Sequence, residues 1–145
     1  MSTSGGSSGG GGPLTTVESY ISSNVTLTSG TNINITSVSL AAGTWLVMAR
    51  ANIIGNAATI SAVDVAIGPT TASFTGAYAI GTGEVGDVAG AAEFQQIAIM
   101  KSVTLASTTT VYLNGLSGGA TATALAGGNT SGTTNATGIT AVKTA

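Results

Sequence analysis

The stretch Ser37–Ile54, SVSLAAGTWLVMARANII, limits the possible folds more than any other part of the chain. It reads as a strand, a tight turn and a longer strand. Ala41-Ala42-Gly43-Thr44 forms the turn, with Gly43 free to take a positive φ that a Cβ would resist. Beyond the turn, Trp45, Val47, Ala49, Ala51 and Ile53 fall on one side of an extended chain and are all apolar. Leu46, Met48, Arg50, Asn52 and Ile54 fall on the other, which turns polar at Arg50 and Asn52. That alternation predicts a strand with one face in a core, opened by the only tryptophan of the chain.

The 145 residues leave room for one domain and an appendage. Hydrophobic residues make up 43% and aromatic ones 4%, so much of the apolar content is alanine. Charged residues are only 6%, against about 25% in ordinary soluble domains. A surface with so few charges desolvates cheaply, which predicts that part of it is covered by other chains. The net charge is −2, and Arg50, Lys101 and Lys143 are the only cations. Phosphate binding needs several clustered cations, so the reading is no nucleic acid and no anionic membrane as partner. There is no cysteine and no histidine. The N-terminus lacks a signal-peptide pattern, and no apolar run reaches the length of a membrane span. The expectation is a chain made in a cytoplasm and stabilised by packing and assembly rather than by cross-links.

Residues 1–13 read as a Gly/Ser-rich arm and residues 14–145 as the folded domain. Ser2–Gly12, STSGGSSGGGG, holds no side chain able to anchor a core. It is either a linker or tail, or an arm that becomes ordered by lying across a neighbouring subunit. Thr16–Leu27 is a first strand interrupted near Ser22-Ser23-Asn24, and Thr31–Leu40 alternates Ile33, Ile35 and Val38 before the Gly43 turn. Ile60–Ile67 sets Val63, Val65 and Ile67 against Asp64 and stops at Gly68-Pro69. Ser73–Ile80 is a weaker strand, and Gly81–Gly90, GTGEVGDVAG, is a loop. Glu93–Leu105 holds another strand. In Thr109–Leu116, Val111 and Leu113 oppose Tyr112 and Asn114. Ala120–Ala126 is a small alternating strand, Gly127–Gly138 a polar loop, and Ile139–Val142 the last strand. About eight to ten short strands at such spacing predict an all-β sandwich or barrel. Trp45, Val47, Ile53, Val65, Val111 and Leu113 are its expected core.

Little here is equipped for chemistry. Without histidine or cysteine, the Ser-His-Asp and Cys-His arrangements are impossible, and a zinc site would have to use carboxylates alone. The carboxylates are Glu18, Asp64, Glu84, Asp87 and Glu93. Glu84 with Asp87 or Glu93 could form a glycosidase pair, or Glu84 and Asp87 a weak calcium site. Acidic residues in a Gly-rich loop are ordinarily just solvated. The expectation is therefore no catalytic residue, no metal site and no cofactor. Gly81–Gly86 satisfies GxGxxG without a βαβ context, and so reads as loop rather than dinucleotide site. The sequons at Asn24, Asn34, Asn129 and Asn135 are read as accidents of Asn/Thr richness.

Three segments carry a resemblance. Ser37–Val47, SVSLAAGTWLV, resembles the strand–turn–strand of jelly-roll modules in tailed-phage virion proteins, similar in architecture to C1q and tumour-necrosis-factor domains. Ser107–Leu113, STTTVYL, resembles their penultimate core strand, and Gly138–Lys143, GITAVK, their last strand, with Lys143 where a basic residue is common. The resemblance spans Ile33–Lys143, with an undistinctive middle at Gly55–Gly90. It implies an antiparallel jelly-roll sandwich, a homotrimer, and a non-enzymatic structural virion protein. The most specific form of that reading is a capsid decoration protein bound to the major capsid protein of a phage shell. Such a protein is assembled in the host cytoplasm and ends on the capsid surface. A receptor- or glycan-binding tip of a head or tail fibre is the other role the resemblance allows, although no stalk precedes Leu14.

Overall fold

The computed structural model describes residues 13–55, 61–88, 91–127 and 136–145. Met1–Gly12, the sequons Asn129 and Asn135, and most of the Gly127–Gly138 segment lie outside the described residues. Twelve strands appear in chain order: β1 (Thr16–Tyr20), β2 (Val25–Leu27), β3 (Ile33–Leu40), β4 (Gly43–Gly55), β5 (Ser61–Gly68), β6 (Ala79–Val85), β7 (Asp87–Val88), β8 (Ala91–Ala92), β9 (Phe94–Leu105), β10 (Thr109–Gly118), β11 (Ala122–Ala124) and β12 (Gly138–Lys143). The described residues contain no helix.

The strands form two antiparallel sheets. The first runs β1-β12-β4-β9, with β11 replacing β12 along the end of β4 and β2 pairing β11. The second runs β3-β10-β5-β6, and β7 and β8 make a small separate ribbon. If the short strands β2, β7, β8 and β11 are set aside, eight remain. Numbered in chain order, these give sheets 1-8-3-6 and 2-7-4-5, the interleaved order of a jelly roll.

The Ser37–Ile54 segment is the predicted strand, turn and longer strand, and its two strands join opposite sheets, so the turn is a corner between the sheets. Gly43 takes φ +135° at the corner, and Trp45, Val47, Ala49, Ala51 and Ile53 are all buried. Trp45 is the largest fully buried side chain, and its indole Nε1–H donates to the Ala41 carbonyl at 2.9 Å. Val63, Val65, Ile67, Val111 and Leu113 face it from the second sheet at zero exposure, so every expected core residue is buried. At the open end of the sandwich, Lys143 pairs across from Trp45 and holds its ammonium 6.0 Å from the ring centroid.

Three readings are corrected. Ser73–Ile80 is not a strand, since the chain from Pro69 to Tyr78 is turns and bends and the strand begins at Ala79. The described part of Gly81–Gly90 is not a loop, because Gly81–Val85 completes β6 and Asp87–Val88 is β7. The reason is packing. A Cβ on Gly81 would sit 2.6 Å from Ile99 Cγ2, and one on Gly83 would sit 2.6 Å from Gln95 Cγ. The glycines let β6 lie close against β9, where the two sheets meet at one flank. At the opposite flank Ser19 and Thr36 hydroxyls join β1 to β3 at 2.6 Å. The third correction concerns β3, where the inward row changes phase from Ile33 and Ile35 to Val38 and Leu40. Leu113 pairs with Thr36 but Asn114 with Asn34, so Ile35 is an inserted bulge residue that moves the row by one.

Candidate functional site

A jelly roll has two outer faces, and here they differ. On the second sheet, the outward row of β10 holds Thr110, Tyr112, Asn114 and Leu116. Asn114 is nevertheless fully buried, because the Pro69–Tyr78 loop folds back over it. Its amide Nδ2 donates to the carbonyls of Thr70 and Ser73, both at 2.9 Å, and its Oδ1 accepts from Ala72 N–H at 2.9 Å. Ala66, opposite it on β5, is buried by the same loop. Ala72 is held at φ +46°, a left-handed conformation that alanine seldom adopts.

Among the described residues no such loop covers the middle of the first sheet. Its cross-strand rows follow from the pairing registers. Val142, Leu46 and Ser102 make one row; Glu18, Thr140, Met48 and Met100 the next; Tyr20, Gly138, Arg50 and Ala98 the third; Ile54 and Phe94 lie further along. Met100 is 64% exposed and Phe94 43%. Between the second and third rows lies a trough of about 550 Å³, whose floor is low because Ala98 and Gly138 carry little or no side chain. Tyr20 fills the space over Gly138, where an added Cβ would lie 2.5 Å from the ring Cδ1. The phenol bonds Thr140 Oγ1 at 2.8 Å, and the Arg50 guanidinium sits 5.6 Å from the ring centroid. Thr140 Oγ1 also donates to Glu18 at 3.4 Å. The result is an apolar depression with one cation and one aromatic hydroxyl at its end. It offers apolar contact area, and among the described residues no nucleophile stands beside a base in it.

Of the carboxylates weighed for chemistry, the Asp87 side chain lies outside the described residues. Glu84 stands on the outward row of β6, exposed, and Glu93 is exposed at the start of β9. Asp64 accepts the Thr82 hydroxyl at 2.6 Å. Among the described residues no three carboxylates cluster as a metal site would require. Of the GxGxxG glycines, Gly81 and Gly83 pack β6 against β9, and Gly86 lies against Gly55 of β4. The trough residues Tyr20, Met48, Ala98, Met100 and Gly138 were not singled out from the sequence. Their signal is Leu46 and Met48 on the outward row of β4, which turns polar only at Arg50 and Asn52, with Ala98 and Met100 beside them on β9.

No protein-family model matches the chain, and no curated protein sequence does. Among solved structures, it is similar to a chain in the structure of the infectious bursal disease virus Gx strain. That match has 15% identity and a TM-score of 0.44, and covers 91% of this chain and 37% of the other. The chain thus spans well under half the length of that neighbour. A likeness this distant assigns no function.

Proposed function

We propose that the chain is a non-enzymatic structural protein of a virion, a homotrimeric decoration protein seated on the capsid of a tailed phage. The observation that carries the reading is the apolar face of the first sheet, which the described residues of this jelly-roll sandwich leave open. Large apolar patches on an otherwise neutral surface mark sites of protein association. The segments that resemble phage virion modules also support it, because they are neighbours in space. Trp45 of the Ser37–Val47 segment pairs with Lys143 of the last strand, and Val38 pairs with Val111 of the Ser107–Leu113 segment. The resemblance thus falls on one connected part of the sandwich rather than on scattered strings. The sequence has no histidine and no cysteine, and among the described residues no three carboxylates cluster, which favours a role without catalysis.

The test is to add purified protein to undecorated capsids and to measure mass by light scattering and occupancy by electron microscopy. Saturable binding of trimers in a symmetric array is the expected result. A monomer at micromolar concentration that leaves capsids bare would defeat the reading. Binding to host cells but not to capsids would replace it with a receptor-binding tip.

A further inference from the structure

We propose that β9 is an edge by which two copies of this chain join, the segment Glu93–Lys101 pairing antiparallel with itself about a twofold axis at Ile97. The contact is separate from the threefold assembly proposed above. It joins copies in pairs, and so links one trimer to another.

Among the described residues β9 pairs with β4 alone, and β6 meets its side chains through Gly81 and Gly83. The hydrogen bonds of β4 show which groups of β9 are left at the free edge. Asn52 donates its N–H to Thr137 Oγ1 and its carbonyl accepts from Leu125 N–H, both on the side away from β9. Backbone direction alternates along a strand, so Ala49, Ala51 and Ile53 face β9, opposite Ile99, Ile97 and Gln95. Phe94, Gln96, Ala98 and Met100 therefore turn their N–H and C=O groups to the free edge. The Gln96 carbonyl there accepts from the neighbouring Gln95 side chain at 3.2 Å.

The strand has 12 residues and no proline, and Lys101 is its single charge. A charge on an edge strand ordinarily discourages a second strand. Here the chain carries the counter-charge eight positions earlier, at Glu93, and both side chains are exposed. The ladder reaches that far, since Gly55 N–H donates to the Glu93 carbonyl at 3.1 Å. Folded onto itself about Ile97, the segment sets Glu93 opposite Lys101, Phe94 opposite Met100, Gln95 opposite Ile99 and Gln96 opposite Ala98. Each pair occurs twice. One register thus joins the opposite charges on one face and the two exposed large apolar side chains, thioether against ring, on the other. It also brings free-edge groups to free-edge groups, for about eight backbone hydrogen bonds. Registers centred on Ala98 or Ile99 would set Lys101 against Gln95 or Ile97 and Glu93 against Val103 or Leu105.

The chain has no cysteine, so a single Ala98→Cys is a clean reporter. In this register the two thiols sit on diagonal neighbours, about 7–8 Å apart, and a short bismaleimide should give a covalent dimer on a denaturing gel. Thr104→Cys, whose copies would stand about 45 Å apart at ~3.3 Å per residue, should give none by this contact. Glu93→Lys and Lys101→Glu should each raise the dissociation constant of the pair about tenfold in a light-scattering dilution series. The double swap should return it to within about threefold of the parent. Gln96→Pro removes a free-edge N–H without touching the ladder to β4, and should abolish pairing while circular dichroism stays unchanged. Trimers that form with Ala98→Cys uncross-linked and the swaps without effect would overturn this contact and leave the trimer reading standing. Dimers that respond to the swaps, with no trimer, would keep the contact and defeat the trimer reading. A monomer at micromolar concentration would overturn both.

Discussion

Asn114 offers the sharpest test of how the second sheet is finished. Replacing it with alanine deletes three hydrogen bonds of 2.9 Å to Thr70, Ala72 and Ser73 from a fully buried site. The magnitude depends on what becomes of the backbone groups left behind. Thr70 and Ala72 are exposed and Ser73 half-buried, so water can reach the freed groups and the full penalty for orphaned buried groups does not apply. At about 0.5–1.5 kcal/mol net per bond, Asn114→Ala should cost about 2–3 kcal/mol, a large share of the ~5–15 kcal/mol that holds a domain together. Asn114→Asp separates the donor from the acceptor role. One carboxyl oxygen can still accept from Ala72 N–H, but the other would face two carbonyls and must be protonated to bond either. Its folded-state pKa is then raised above the unfolded value. Its contribution is present in full below the unfolded carboxyl pKa and is lost as pH rises through the folded one. The aspartate variant should therefore be closest to wild type in acid and weakest at neutral pH. Urea denaturation at fixed protein concentration, followed by Trp45 fluorescence, measures both effects. Amide exchange at Ala72 reports the loop separately. A loss below about 1 kcal/mol for Asn114→Ala, or an aspartate variant equal to wild type at neutral pH, would refute the argument.

Three further outcomes are expected. Trp45→Ala should cost about 3–5 kcal/mol by urea denaturation followed by circular dichroism, since the only tryptophan is lost; a change under 1 kcal/mol would mean that the ring is no core anchor. Gly81→Val should cost about 1–3 kcal/mol or more by overpacking against Ile97 and Ile99, and a neutral result would show that β6 does not need its close approach to β9. Deleting Ser2–Gly12 should leave the folded assembly intact in light scattering but lower its occupancy on undecorated capsids, because the segment has no apolar surface to fold alone; equal occupancy would make it a passive tail.

The parts of this fold that are legible in the sequence are those where side chains report burial. β4 and β5 alternate cleanly, and their inward rows are Val, Ile, Trp and Ala as a half-buried strand requires. β6 is illegible for the converse reason. Its inward positions are Gly81 and Gly83, chosen for the space they leave to Ile97 and Ile99, and glycine in a sequence reads as a turn. The phase change in β3 is visible only as the uneven spacing from Ile35 to Val38, which the pairing register explains as a bulge. The alternation in Thr109–Leu116 puts Asn114 on the outward row of β10. Its burial follows from a loop more than forty positions earlier in the chain, as its bonds to Thr70 and Ser73 show, and no local pattern carries that information. For the trough, its main strand was legible but its character was not. That depends on Met48 and Met100 being opposite each other and on Tyr20 lying over Gly138, both matters of register.

The low charge and the uncovered sheet have one explanation if assembly is the native state. The second sheet hides part of its outer face under its own loop, and the rest mixes Ser39, Asp64, Thr82, Glu84 and Thr110 with Tyr112, Leu116 and the exposed Ile80. The first sheet leaves Leu46, Met48, Ile54, Phe94, Met100 and Val142 half-buried or exposed on a single face. In a lone domain that face is a liability, because each Å² of apolar area withdrawn from water contributes ~25 cal/mol that goes unused. Against a second copy it is the driving force. A surface with 6% charged residues opposes that contact little, since few ions have to be desolvated. A monomer selected for solubility would be expected to place lysines and glutamates along the outward row of β9. That row instead reads Phe94, Gln96, Ala98, Met100, Ser102 and Thr104. Placing one of those charges there, as in Met100→Lys, should therefore weaken the assembly while leaving the sandwich folded, because the side chain points away from the core.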